Sequence, residues 1–216
     1  MSALAVELAG EQVLLLAQKA LYWPREHMLV VADIHFGKAA AFRALGVPVP
    51  GGTTAENLGA LDALIERHGA RQIVFLGDFL HAKAAHAQAT QSALLAWRRR
   101  HPQLRLTLVR GNHDRHAGDP ADELGIWLVD EPFSLGPFSF CHHPDKAAPG
   151  YVLAGHVHPV YVLATRLEAL RLPCFVAGPH RMILPSFGSF TGGYVIMPEA
   201  GERIWVSSGE AVHSVR

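Results

Sequence analysis

Five apolar runs in this chain each end, on their carboxyl side, in residues able to hold a metal ion or move a proton. Leu29-Val30-Val31-Ala32 runs into Asp33-Ile34-His35, and Val74-Phe75-Leu76-Gly77 into Asp78. Leu106-Thr107-Leu108-Val109 leads to Arg110-Gly111-Asn112-His113-Asp114. Phe138-Ser139-Phe140-Cys141 meets His142-His143, and Val152-Leu153-Ala154 meets Gly155-His156-Val157-His158. Any one of these reads equally well as a helix cap, a turn or a sheet edge. Five in register at the ends of five buried runs point to a shared site, because parallel strands of an α/β sheet bring their carboxyl ends together. Within each i, i+2 pair, Asp33/His35 and His156/His158, an extended backbone would project both side chains to one side.

The donor types restrict the chemistry. Imidazole nitrogen, carboxylate and amide oxygen suit Mn, Fe or Zn better than Cu(I) or an iron–sulfur cluster. Asp33, His35, Asp78, Asn112, His142, His156 and His158 supply seven donors, too many for one tetrahedral ion. Two divalent ions about 3.5–4 Å apart, sharing one carboxylate, would use the set fully. Four positive charges against two from Asp33 and Asp78 leave room for a nucleophilic water and a phosphate oxygen, the requirements of phosphoester hydrolysis.

The elements that must position these residues follow from pattern. Gln12–Leu16 and Ala20–Trp23, around Gln18-Lys19, read as a hairpin. Met28–Ala32, Ile73–Leu76 and Leu104–Val109 read as buried strands, alternating with helices from Lys38 to Leu45, from Thr53 onward, and from Ala85 to Arg99. The first helix is expected to stop at Gly46 and the Val47-Pro48-Val49-Pro50-Gly51-Gly52 breaker. Thr53, with Glu56 three residues on, reads as a capping box, and Leu58, Leu61, Leu64 and Ile65 share one face of that helix. Beyond about residue 126 short strands take over: Trp127–Val129, Phe138–Cys141, Tyr151–Ala154, Val160–Leu163, Met182–Leu184, Tyr194–Met197 and Ile204–Val206. No repeat, linker or low-complexity tract interrupts the chain, so one domain spanning residues 1–216 is expected: α/β, two stacked sheets with helices outside.

Composition sets the outer bounds. The 216 residues are 50% hydrophobic, enough for one sizeable core, and 19 basic residues cancel 19 acidic ones. That balance excludes a strongly basic DNA-coating protein. The one basic cluster, Arg98-Arg99-Arg100-His101, reads as a helix end favoured by the macrodipole. Two cysteines, Cys141 and Cys174, without CxxC spacing argue against a disulfide framework or a thiolate zinc site. The N-terminus carries Glu7 and Glu11 where a signal peptide would be basic, so a cytoplasmic protein is expected. The uncharged stretch Ala147 to Thr165 approaches membrane-spanning length, but its two Pro, two Gly and two His exclude a transmembrane helix.

In order and type, DIH…GD…GNHD…H…GHVH resembles the signature of the calcineurin-like metallophosphoesterases, from Asp33 to His158. The resemblance implies a two-sheet β-sandwich flanked by helices. It further implies that Asp33, His35 and His158 hold one metal, that Asn112, His142 and His156 hold a second, and that Asp78 bridges them. His142 is preferred to His143 because the family's ligand directly ends its strand. His113 matches the histidine that contacts phosphate and protonates the leaving group. Some members orient that histidine with an Asp three residues after the GD aspartate. Here His81 stands at that position, and Asp114 is the candidate to replace it.

ADIHFGKAAAFRALGVPVPGGTT with CHHPD further resembles a bacterial subgroup of ligase-associated DNA damage response endonucleases. These are manganese-dependent phosphodiesterases encoded beside a DNA ligase and an Lhr-type helicase. The resemblance implies two Mn²⁺ ions, with Fe or Zn as alternatives, a single-stranded DNA substrate, and phosphate contacts from Lys38 and Arg43. The competing readings are a phosphodiesterase or pyrophosphohydrolase acting on a small nucleotide, and a metal-poor scaffold module. The pyrophosphohydrolase of lipid A synthesis carries Arg where this chain has His113.

Overall fold

The computed structural model describes residues 3–49, 52–164 and 168–215. Its first half runs β1 (Ala3–Leu8), β2 (Glu11–Leu16), β3 (Leu21–Trp23), β4 (Met28–Val31), α1 (Lys38–Ala44), α2 (Thr53–His68), β5 (Gln72–Leu76), α3 (Gln88–Arg100), β6 (Arg105–Val109), α4 (Asn112–Ala117) and β7 (Ile126–Val129). The second half is β: β8 (Phe133–Leu135), β9 (Phe138–Cys141), β10 (Tyr151–Ala154), β11 (Pro159–Ala164), β12 (Ala169–Ala177), β13 (Arg181–Ile183), β14 (Tyr194–Val195), β15 (Arg203–Ser207) and β16 (Val212–Ser214).

Among the described residues the strands form two sheets. The first has the order β1 to β7, antiparallel as far as β4 and parallel from β4 through β7. The second has the order β14-β11-β12-β13-β10-β9-β8, with β15 paired to β12 and β16 to β15. At its centre β10 runs parallel to both β9 and β13.

Strand alternation explains why β4, β5 and β6 read as continuous apolar runs. Met28, Val30, Val74, Leu76 and Val109 face Phe138, Phe140, Leu153, Phe175 and Met182 of the second sheet. Their neighbours Leu29, Val31, Ile73, Phe75, Leu106 and Leu108 face the other way, onto Leu58, Leu61 and Leu64 of α2 and Leu94 and Trp97 of α3. Both faces of these strands are therefore buried. The carboxyl ends of β4, β5 and β6 lie along one edge, and those of β9 and β10 meet them from the facing sheet. Bonds from Phe187 N to Ala32 O, Leu184 N to Ala154 O and Gly155 N to His142 O tie that edge together.

Several boundaries differ from the sequence reading. The expected capping box at Thr53 does not form: α2 starts after Gly52, which adopts φ 91°, and no side chain caps it. Thr53 thus sits inside the first turn instead of before it. The helix expected from Ala85 splits into a 3-10 turn at Lys83–His86 followed by α3, and its basic last turn holds Arg98, Arg99 and Arg100 as anticipated. Strands β1, β8, β12 and β16 had no place in the pattern reading. Pro173 obscured β12, and its exposed alternate residues obscured β1. Pro50 and Gly51 of the expected breaker, and Thr165 at the end of the uncharged stretch, lie outside the described residues. No helix of the described chain is long and apolar enough to cross a membrane. Cys141 and Cys174 are buried, free thiols.

Candidate metal centre

Each donor read from sequence sits one or a few residues beyond a strand of this shared edge. Asp33 and His35 follow β4, Asp78 follows β5, and Asn112 opens α4 after β6. His142 follows β9, while His156 and His158 follow β10. Five of these seven adopt left-handed backbone: Asp33 (φ 50°), His35 (49°), Asp78 (50°), His156 (69°) and His158 (50°). For residues with a Cβ that conformation costs on the order of 1 kcal/mol or more each, and it persists where surrounding structure over-determines it. The conformation also corrects the expectation of side-by-side pairs. His156 and His158 do not project together from extended backbone; one turns toward His142 and the other toward Asp33.

The glycines of the motifs make room for this convergence. A Cβ on Gly77 would lie 2.3 Å from His142 Nδ1, one on Gly111 2.4 Å from Asp78 Oδ1, and one on Gly155 2.6 Å from Asp33 Oδ2. At each of the three, a donor from another strand occupies the space a side chain would need.

The donors fall into two facing groups. In the first, His35 Nε2 lies 3.4 Å from His158 Nε2 and 3.6 Å from Asp78 Oδ2, and His158 Nε2 lies 3.6 Å from Asp33 Oδ2. In the second, His142 Nε2 lies 2.8 Å from Asn112 Oδ1, 3.0 Å from His156 Nδ1 and 3.5 Å from Asp78 Oδ1. The two oxygens of Asp78 thus face opposite groups. The ligand-type atoms of Asp33, His35, Asp78 and His158 all lie within 4.8 Å of one another, as do those of His142, His143 and His156.

Whether a cation fits can be decided from where the protons are. His142 Nδ1 lies 3.0 Å from the Leu76 carbonyl and His158 Nδ1 3.1 Å from that of Gly192. A carbonyl only accepts, so both Nδ1 atoms carry hydrogen and both Nε2 atoms point lone pairs into the cluster. There they meet carboxylate oxygens and other ring nitrogens. Asp33 Oδ1 is buried and has no hydrogen-bond partner among the described residues. Lone pairs turned on one another without enough protons to join them are what a divalent cation resolves. Electrostatics agree for two of the rings. Burial pushes His142 down to about 4, and burial together with the Lys38 charge drives His35 well below the ordinary histidine range. Both rings are neutral at neutral pH, the state in which imidazole binds metal. At His158 burial lowers the ring, but the Asp33 carboxylate beside it outweighs that and raises it, a pull that a cation between them would replace. Burial raises Asp78.

A family model described as calcineurin-like phosphoesterase matches residues 27–158, a span containing every one of these donors. The chain belongs to the calcineurin-like phosphoesterase family. The crystal structure of Pseudomonas putida nuclease MPE is similar to this chain at 45% identity and TM-score 0.88, over 99% of this chain and 100% of that one. The phosphoesterase Yfce from E. coli shares 11% identity at TM-score 0.42, over 87% of this chain and 97% of that one, too remote to carry an argument. No curated protein gives a significant match. Family membership makes the protein a metal-dependent phosphoesterase with the calcineurin-like fold.

In this phosphoesterase His113 stands at the mouth of the cluster. Its Nδ1 donates to the His81 carbonyl at 2.9 Å, and its Nε2 comes 4.0 Å from Asp78 Oδ2. Asp114 does not orient it. That carboxylate is turned inward, where Oδ1 accepts from the Phe79 and Leu80 amides and Oδ2 from the Gly111 amide. Asp114 therefore clamps the loop after β5 to the start of α4, and its burial raises it to about 6. Where some relatives use an aspartate, this chain orients its histidine with a backbone carbonyl. The ring of His81 meets His35 Nδ1 at 3.3 Å, so residue 81 touches both a candidate ligand and His113.

His142, fully buried, points into the cluster, whereas His143 Nδ1 faces Glu131 Oε1 at 2.8 Å. Glu131 escaped the sequence reading altogether. Its Oε2 accepts from the amides of both His142 and His143 at 2.9 Å, fixing the turn that aims His142. Ser186 is a second such residue, donating at 2.8 Å to the carbonyl of Asp33. Neither occupies a motif. Lys38, half-buried on α1, feels both Asp33 and Asp78, although burial lowers it overall. Arg43 is exposed on the same helix.

Proposed function

We propose that this phosphoesterase is a Mn²⁺-dependent phosphodiesterase that cleaves single-stranded DNA, holding two ions in the donor set described above. In this assignment Asp33, His35 and His158 hold one ion, Asn112, His142 and His156 the other, and Asp78 both. The observation that carries the reading is Asp78, with one oxygen toward each donor group and His113 Nε2 beside it. When bound, the ions polarise the phosphoester and supply a nucleophilic water at neutral pH.

The protein side chains do the remaining work. With its Nδ1 hydrogen committed to the His81 carbonyl, protonated His113 presents its second proton through Nε2, toward the reacting phosphate. It would pass that proton to the departing alkoxide, the step that matters most for the poor leaving group of a natural diester. Lys38, drawn by the two carboxylates, can take a non-bridging phosphate oxygen. Arg43 is proposed as a contact to the flanking backbone.

Likeness to a nuclease at 45% identity over the whole length supports a nucleic acid as the substrate, and DNA is the class proposed. A balanced net charge implies that few phosphates are gripped beyond the site. A role in DNA repair, in functional association with a DNA ligase and an Lhr-type helicase, is part of the proposal. The test is a nuclease assay on single- and double-stranded DNA with Mn²⁺, Mg²⁺, Zn²⁺ and Fe²⁺ in turn. Preferential cleavage of the single strand with Mn²⁺ is expected. Metal-loaded protein that hydrolyses a chromogenic diester but leaves single-stranded DNA intact would remove DNA from the proposal.

A further inference from the structure

A run of aromatic rings leads away from His113 across the surface. His113 stacks on His81, with centroids 4.9 Å apart and planes 21° from parallel. His81 faces Phe42 of α1 at 6.1 Å and 32°, and Phe42 meets Phe190 edge-to-face at 5.6 Å and 89°. Among the described residues, Phe42 and Phe190 belong to none of the buried core clusters. Both are only part-buried. Two part-buried phenyl rings in mutual contact form a small apolar patch beside the reaction centre.

Their placement is fixed from two directions. Phe42 lies four residues after Lys38 on α1, so the two share a helix face. The ring of Phe42 faces His81, whose Nδ1 lies 3.3 Å from His35 Nδ1, so this face is turned to the donor cluster. Phe190 rides on the segment between Ser186, which donates to Asp33 O, and Gly192, whose carbonyl accepts from His158. Along the way Gly188 passes so close to the Ile34 carbonyl that a Cβ would lie 2.8 Å from it. The segment is therefore strapped to residues of the metal centre at both ends, and Phe190 is held in register with the chemistry.

We infer that Phe42 and Phe190, at the far end of the ring run that His113 and His81 begin, are a stacking platform for unpaired nucleobases on the leaving-group side of the scissile phosphate. The side follows from His113, which starts the run and faces the departing oxygen. The class of ligand follows from the combination of π-faces with a cation at their root: base faces stack on rings irrespective of sequence while the phosphate meets Lys38. Base faces are open only where the strand is unpaired; in a duplex they are covered and only groove edges can be read. The platform thus gives a physical reason for preferring a single strand. The inference rests on the reading of the site as a polynucleotide phosphodiesterase.

The experiment compares the Mn²⁺-loaded wild type with Phe42→Ala, Phe190→Ala and the double variant on two strands of equal length. One is an ordinary oligodeoxynucleotide, the other a base-free strand of tetrahydrofuran residues. On the ordinary strand, each alanine is expected to lower kcat/KM by roughly 5-fold or more, within the range known for lost base–aromatic stacking. On the base-free strand, wild type and variants should coincide. Phe42→Tyr should restore cleavage, whereas Phe42→Leu, which keeps apolar bulk, should not. A 2-aminopurine placed next to the scissile phosphate should be quenched on binding to wild type and brighter with the double variant.

Equal losses on both strands, or rescue by leucine, would overturn the platform in favour of simple packing. Unchanged DNA cleavage with altered self-association would overturn it in favour of a protein-binding patch. Wild-type hydrolysis of bis-p-nitrophenyl phosphate separates the two levels. If that diester is cleaved while bases make no difference, only the platform falls; if no diester is cleaved, the phosphodiesterase reading falls first.

Discussion

Removing the Glu131 carboxylate should weaken one half of the metal centre and spare the other. Its side chain is 6% exposed and holds three hydrogen-bond donors: the amides of His142 and His143 at 2.9 Å each and His143 Nδ1 at 2.8 Å. Glu131→Ala leaves two backbone N–H groups without their acceptor, at about 1–3 kcal/mol each. A loss of roughly 2–4 kcal/mol in unfolding free energy is expected, because water reaching the half-exposed His143 relieves part of the cost. The same turn aims His142. Loss of a residue that orients a ligand typically costs about 10–100-fold in metal affinity. The effect should be confined to the group of Asn112, His142 and His156. His158 is oriented independently by the Gly192 carbonyl, and His35 meets His81. Glu131→Gln keeps an acceptor oxygen and should fall between the wild type and the alanine variant. The assay is calorimetric or chelator-competition titration of Mn²⁺ into the apo-protein. One binding step should weaken 10–100-fold while the other moves less than about 3-fold. Equal weakening of both steps, or of neither, would refute the argument that Glu131 acts through His142.

Other consequences can be measured in the same protein. His113→Ala should retain metal by elemental analysis yet lose about 10²–10⁴-fold on natural diesters, and much less on p-nitrophenyl esters; equal losses on both would argue against proton donation. Asp114→Ala frees three buried amides, so chemical denaturation should report a loss of about 3 kcal/mol or more. A melt unchanged from wild type would contradict the clamp. Gly155→Ala forces a Cβ to 2.6 Å from Asp33 Oδ2 and 2.9 Å from Ala32 Cβ, so metal affinity should drop even though no ligand is altered. Lys19, in the turn between β2 and β3, is lowered by burial to about 8 while donating to the Gly188 carbonyl at 3.1 Å. Its folded state binds protons less readily than the unfolded chain, so the cost of keeping it charged is complete below about pH 8. That cost is relieved as pH rises toward the unfolded value of about 10.4. Lys19→Met should therefore be more stable than wild type at pH 7 by about 1–2 kcal/mol, discounted for partial exposure. The gap should close above pH 10, and a gap that widened with pH would refute the sign.

The chain's own order was enough to pick out seven donor-type residues and His113 and to expect them at strand ends, where the structure places them. Apolar runs buried on both faces are recognisable locally, and a polar residue that ends such a run stands out. The fold class followed from the same runs, since parallel strands must carry their carboxyl ends to one edge. What the donors do to one another was not legible. His156 and His158 are two residues apart, yet left-handed backbone sends them to different groups, and that conformation is imposed by contacts with Asp33 and His142, at least fourteen residues away. Asp114 sits beside His113 in sequence and looked like its partner, but the unsatisfied amides of Phe79, Leu80 and Gly111 claim its oxygens. Glu131 and the His81 carbonyl were invisible for the converse reason. A backbone oxygen has no residue code, and a lone glutamate before a turn has no pattern, until folding places each against a histidine. Sequence determines which groups are available, because side-chain chemistry is local. Only the tertiary structure decides their pairings, because a hydrogen bond depends on a few tenths of an ångström between segments the chain keeps far apart.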